Sequence, residues 1–216
     1  MALFCNADLR RRGQERDPKK KFWLFCEGKN TEPMYFDALG VMCRETLIEV
    51  NVAGAVGDPS KIAEVAGKKS SQLGCSAKGG KKLESYEMRD EVWAVFDRDI
   101  HARFEEAIKS CNDLGVHVAR SNPCFEVWLI LHFVDYHKPD HRHSVQKTLQ
   151  KHCPEYDPKR GKNVNCAVLI KNIAQAEARA ELQLAQRSEE RIPFGAPSTT
   201  VFQLTRKIRK EAKIIL

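Results

Sequence analysis

Two textures alternate along the chain. Short, dense apolar runs rich in aromatic and β-branched residues are followed by longer stretches with apolar side chains at helical spacing. Phe22-Trp23-Leu24-Phe25-Cys26 is the first run, and it stops at Glu27-Gly28-Lys29-Asn30-Thr31-Glu32-Pro33. Gly28 permits a sharp turn, Thr31 suits an N-cap and Pro33 a first helical turn. Tyr35, Phe36 and Leu39 then form the apolar side of a helix. Residues 46–53 read as a second strand, and Gly57-Asp58-Pro59-Ser60 opens a second helix carrying Ile62, Val65 and Ala66. A Gly/Lys/Ser loop over 74–90 leads to a third strand that ends at Asp97-Arg98-Asp99. A helix over 102–114, stopped by Gly115, and a short fourth strand over 116–119 follow. Residues 121–133 read as a buried helix with Pro123 in its first turn. Beyond residue 138 the periodicity predicts helices over 143–152, 163–187 and 198–213.

Strands alternating with helices imply βαβ units and right-handed crossovers. The expected fold is α/β: a mainly parallel four-stranded sheet with helices on both faces, plus a helical C-terminal extension. The expected organisation is a basic flexible arm over 1–21, an α/β domain over 22–135 and the extension over 136–216.

Composition narrows the class. Of 216 residues, 42% are hydrophobic, enough for a sizeable core, yet no apolar run reaches the roughly 18 residues that span a bilayer. The N-terminal residues lack the apolar h-region of a signal peptide, so a cytoplasmic protein with no membrane partner is expected. Eight cysteines occur without a C-x-x-C pair, which argues against a zinc knuckle or a redox motif. Cys26 and Cys111 read as buried free thiols. His132, on an apolar helix, reads as a core histidine.

Net charge is +7, unevenly spread. Arg10, Arg11, Arg12, Arg16, Lys19, Lys20 and Lys21 form one basic run, Lys78, Lys81 and Lys82 a second, and Arg206-Lys207-Ile208-Arg209-Lys210 a third. One such run reads equally as a solvated tail. Three point toward a polyanion, with Lys29 in the first turn as a further phosphate contact.

The acids supply the chemistry. Ligands of open α/β sheets sit beyond the carboxyl ends of the strands, where Glu27, Asp97 and Asp99 fall. Asp97-Arg98-Asp99 alone reads more readily as a loop with a helix cap than as a metal site. If the first and third strands are neighbours, the three carboxylates crowd together, and each pair at about 4 Å repels by about 4 kcal/mol at an effective dielectric of about 20. A hard cation relieves this, and Mg²⁺, or Mn²⁺ in its place, suits carboxylate and phosphate oxygens. Asp97 and Asp99 would hold the ion and Glu27 would act as general base or acid, on a nucleic-acid phosphodiester. Glu126 either rests at the positive end of its helix or reaches this site.

Cys26-Glu27-Gly28-x-x-Thr31-Glu32-Pro33-x-Tyr35-Phe36, Phe96-Asp97-Arg98-Asp99-x-His101 and Ser121-Asn122-Pro123-x-Phe125-Glu126-x-Trp128-Leu129, in this order, resemble RloB-like proteins. The resemblance covers most of the chain, including the basic arm and Pro197-Ser198-Thr199-Thr200. It implies a Toprim-like (topoisomerase-primase) domain over 22–135, with Glu27 as general base or acid and Asp97 and Asp99 as Mg²⁺ ligands. By likeness to overcoming-lysogenization-defect nucleases, Glu126 or Glu32 would serve a second metal. The lysine some of those nucleases use has no counterpart here, so one-metal and two-metal schemes both stay open.

The function implied is a Mg²⁺-dependent nuclease on DNA or RNA, an effector of antiphage defence tied to restriction or abortive infection. An ATPase or another defence-system subunit would be its partner. The alternatives are a weakly catalytic or non-catalytic nucleic-acid-binding subunit and an RNA-processing Toprim endonuclease.

Overall fold

Strand β1 (Lys20–Cys26) lies inside the sheet, with β2 (Ile48–Ala53) on one side and β3 (Glu91–Asp97) on the other, both parallel to it. The computed structural model describes residues 19–74, 90–98, 103–161 and 164–214. Strand β4 (His117–Asn122) pairs parallel with β3, and β5 (Ser198–Thr199) closes the order β2-β1-β3-β4-β5 as the one antiparallel member. The α/β fold with a mostly parallel sheet is therefore as expected, but the sheet has five strands among the described residues instead of four.

The pleat divides the core in two. Phe22, Leu24 and Cys26 of β1, with Trp93 and Val95 of β3, face one layer. Tyr35, Phe36 and Leu39 of α1 (Thr31–Met42) pack there, with α4 (Glu126–Ile130), α5 (Arg142–His152), α6 (Cys166–Lys171), α7 (Ile173–Glu189) and α8 (Val201–Ala212). Val92, Ala94 and Phe96 face the other layer, covered by α2 (Pro59–Gln72) and α3 (Phe104–Asp113). The local signals behind these helices are visible. Asp58 caps α2 by accepting from the Ser60 and Lys61 amides at 2.9 and 3.1 Å, Pro59 opens it, and Gly115 at φ 68° follows α3.

Three expectations are corrected. Helix over 121–133 gives way to a strand reaching Asn122, a cis Asn122–Pro123 bond and only the five-residue α4. The reason is non-local: Ser121 and Asn122 pair with Thr199 and Ser198, and the Thr200 amide donates to the Arg120 carbonyl at 2.8 Å. For the same reason the predicted helix over 198–213 begins with strand β5, so the C-terminal segment contributes to the sheet as well as packing on it. The stretch read as one helix over 163–187 is broken at Asn172 into α6 and α7. Cys26 and Cys111 are buried free thiols, as expected. His132 is a core histidine: its Nδ1 donates to the Trp128 carbonyl at 2.9 Å, leaving Nε2 to accept from Tyr35 Oη at 3.0 Å, and burial lowers its pKa to about 4.

Candidate active site

The chain leaves β1 through α1 to β2, then crosses back over β1 to reach β3. The carboxyl ends of β1 and β3 thus flank the point where strand order reverses, the usual crevice for ligands in such sheets. Glu27 follows β1 directly. Its amide donates to the Val95 carbonyl at 3.0 Å, extending the ladder by one bond, and its Oε2 accepts from the Asp97 amide at 3.1 Å. The neighbour relation required to bring these acids together is present.

A cleft of about 290 Å³ opens there, lined by Glu27, Glu32, Asp97, Glu126, Lys29 and Arg142 among others. Asp97 is 5% exposed, Glu126 2% and Glu32 7%. Each is held differently. Asp97 Oδ2 accepts from Arg142 Nη2 at 2.8 Å, at the first turn of α5. Glu126 accepts from Gln146 Nε2 at 3.2 Å and from the Tyr156 hydroxyl, so it is seated deep in the α4–α5 contact while still lining the cleft. The Tyr156 pKa is pushed up by burial and by the Glu126 charge, which keeps its proton available for donation. The Glu32 carboxylate lies against the backbone of residue 28, where an added Cβ would overlap its Oε2; only glycine leaves that space.

The electrostatics follow from this burial. Asp97's pKa is raised well above the usual carboxylate value, first by desolvation and then by the charges of Glu32 and Glu126; Arg142 opposes the shift and Glu27 adds to it. Four carboxylates line a cleft whose cationic lining groups are Lys29 and Arg142. Oxygen donors in such excess suit a hard divalent cation. Among the described residues, which do not include Asp99, no group of three or more His, Cys, Asp or Glu side chains is placed to hold an ion. Arg142 is the cationic group that neutralises Asp97 among the described residues.

The other predicted residues are scattered. Asp99, Arg10, Arg11, Arg12, Lys81 and Lys82 lie outside the described residues. Lys19, Lys20 and Lys21 sit at the opposite end of β1, roughly 20 Å from Glu27 by strand rise. Lys20 is engaged there by Glu91 and Glu211, each at 2.8 Å. Lys29 is exposed at the rim of the acidic cleft. The third basic run is largely spent on the fold: Arg206 pairs with Glu181, Arg209 with Glu177, and Lys207 with Glu91.

Arg142, Gln146 and Tyr156 were not singled out from the sequence. Arg142 stands among His141 and His143 in a polar stretch with no local mark, and its role depends on α5 docking against α4. No helix among the described residues is long and apolar enough to cross a membrane. No curated protein and no solved structure is significantly similar to the chain. The family model for RloB-like protein matches residues 22–208, from the first strand to the last helix, and the chain belongs to that family.

Proposed function

We propose that the protein is a metal-dependent nuclease of the Toprim type that hydrolyses nucleic-acid phosphodiesters as an effector of antiphage defence. The observation that carries this reading is the meeting of Glu27 and Asp97 across the ends of β1 and β3, at the strand-order reversal, beside the buried Glu32 and Glu126. Asp97, Asp99 and Glu126 are the proposed ligands. Mg²⁺ bound there would polarise a phosphoryl oxygen and lower the pKa of an attacking water.

Within that scheme Glu27 takes or returns the proton of the water, since its carboxylate is fixed by the Asp97 amide and lines the open cleft. Tyr156 and Gln146 hold Glu126 in place. Arg142 neutralises Asp97, and a cation held by the acids would leave its guanidinium available to a substrate phosphate. Lys29, on the rim, attracts the backbone.

The experiment is a cleavage assay on mixed DNA and RNA with Mg²⁺ titrated, comparing wild type with Asp97→Asn and Glu27→Gln. Asp97→Asn is expected to abolish metal-dependent cleavage. Glu27→Gln is expected to lose about 10²–10⁴-fold in rate while retaining more Mg²⁺ affinity. Wild-type speed in Asp97→Asn at every Mg²⁺ concentration would end the nuclease reading.

The Arg142–Asp97 ion pair favours a second reading, a nucleic-acid-binding defence subunit whose acidic site is silent because an arginine fills it. Wild-type protein that binds nucleic acid but does not cut it at any Mg²⁺ or Mn²⁺ concentration would select this alternative.

A further inference from the structure

Arg120 is 8% exposed and has no ion pair with any described residue. Its Nη2 donates to the Pro193 carbonyl at 2.8 Å and its guanidinium lies 4.6 Å from the Phe194 ring centre, while its Nη1 is buried without a hydrogen-bond partner. Arg98 converges on the same loop: it donates to the Phe194 carbonyl, which also accepts from Asn122 Nδ2 at 2.6 Å. Pinning the 193–197 loop explains Arg120 Nη2 and Arg98 Nη1. It does not explain why two like charges share this place with no ion pair to an acid among the described residues, since a neutral donor would pin a carbonyl at less cost. An uncompensated buried charge is expensive.

The surroundings show what would compensate it. A cleft of about 310 Å³ is lined by Arg120, Asn112, His117, Thr200 and Gln203, with Trp93 and Phe194 among its apolar walls. The polar groups are amides, an imidazole and a hydroxyl, all able to donate to an oxyanion. No carboxylate among the described residues lines it. Glu91, 3.9 Å from His117, is itself neutralised by Lys20 and Lys207 at 2.8 and 3.0 Å. A guanidinium with donors and an aromatic wall is the chemistry of a phosphate carrying a base.

The position relates this cleft to the acidic one. Arg120 is the β-partner of Phe96, and Phe96 faces the α2–α3 layer, whereas Asp97 faces the opposite layer. Trp93, on the same face as Asp97, also lines the Arg120 cleft, so a strand following the β3–β4 pair could reach both clefts.

We propose that the cleft at Arg120, with Arg98 as its second charge, binds a phosphate group of the nucleic acid a few nucleotides from the one at the acidic cleft. This rests on the nucleic-acid substrate of the proposed function but not on cleavage. It positions the substrate and takes no part in bond breaking.

The test is binding of labelled oligonucleotides to the full chain in EDTA, over a salt series, so a silent acidic site leaves it unaffected. Arg120→Gln and the more exposed Arg98→Gln should each weaken binding about three- to tenfold and reduce the slope of log K against log salt by about 1. Inorganic phosphate at matched ionic strength should raise the melting temperature of wild type above that in chloride, and this gain should vanish in Arg120→Gln. If Arg120→Gln does not fold, Arg98→Gln and the wild-type phosphate arm still decide. Wild-type affinity and slope in a folded Arg98→Gln or Arg120→Gln would overturn the proposal. So would protection by inorganic phosphate without any oligonucleotide effect, which would make the ligand a small phosphate instead of nucleic acid.

Discussion

Arg142 Nη2 lies 2.8 Å from Asp97 Oδ2, joining the start of α5 to the end of β3. The pair is unequal, since the Asp97 side chain is 8% exposed and that of Arg142 31%. The arginine can hydrate when the contact opens. The carboxylate is far less exposed, and it has Glu32, Glu126 and Glu27 around it.

Asp97→Asn should therefore raise stability. The carboxyl's pKa is higher in the folded than in the unfolded chain, so its ionisation costs the fold nothing below the unfolded value of about 3.9. The cost grows as pH rises from there through the folded pKa. Melting temperatures of wild type and Asp97→Asn should diverge as pH rises above the unfolded value of about 3.9, with the variant gaining about 2–4 °C, on the order of 1 kcal/mol. A constant difference across that range would contradict the assignment.

Arg142→Gln removes the one cation bonded to Asp97 in the described structure. Without divalent metal it should cost about 1–2 kcal/mol, less than a fully buried pair because Arg142 is partly solvated. If the cleft takes Mg²⁺, the variant should recover more stability than wild type as Mg²⁺ is added, since the cation no longer competes with the guanidinium. Calorimetry with and without Mg²⁺ reads both effects, and equal Mg²⁺ responses would argue against a shared position.

Gly28→Ala places a methyl group where the Glu32 carboxylate lies. That carboxylate ends a flexible side chain, so the fold should lose less than about 1 kcal/mol. Glu32 must leave its place in the cleft, however, and if Glu32 serves the proposed cleavage the rate should fall alike in Gly28→Ala and Glu32→Gln. A Gly28→Ala protein that cuts at the wild-type rate would remove Glu32 from the site.

Tyr156→Phe deletes the hydroxyl that donates to buried Glu126. The expected loss is about 1–3 kcal/mol, read by denaturant unfolding. In Glu126→Gln the same tyrosine change should cost less, because the acceptor charge has gone. The two should be non-additive by about 0.5–3 kcal/mol. Strict additivity would mean the contact carries no energy.

The strand–helix alternation was legible because each element announces itself locally. Phe22 to Cys26 and Val92 to Phe96 are apolar enough to be buried on both faces, Asp58 and Pro59 cap their own helix, and Gly115 ends another. Glu27 and Asp97 were legible as candidates for the same reason: each is the first acid after an apolar run. That they meet was not, because adjacency of β1 and β3 depends on a crossover over β1 that no local pattern encodes. Likewise Asn122 and Pro123 carry the local marks of a helix start, yet Ser198 and Thr199 arrive from the far end of the chain and hold the segment as strand. Arg142, Tyr156 and Arg120 are polar residues in polar or mixed stretches, and nothing within a few residues distinguishes them from solvated ones. Only the packing that sets them against Asp97, Glu126 and the 193–197 loop turns charge and hydrogen-bonding capacity into position, because the cost of desolvating a polar group exists only once the tertiary fold excludes water.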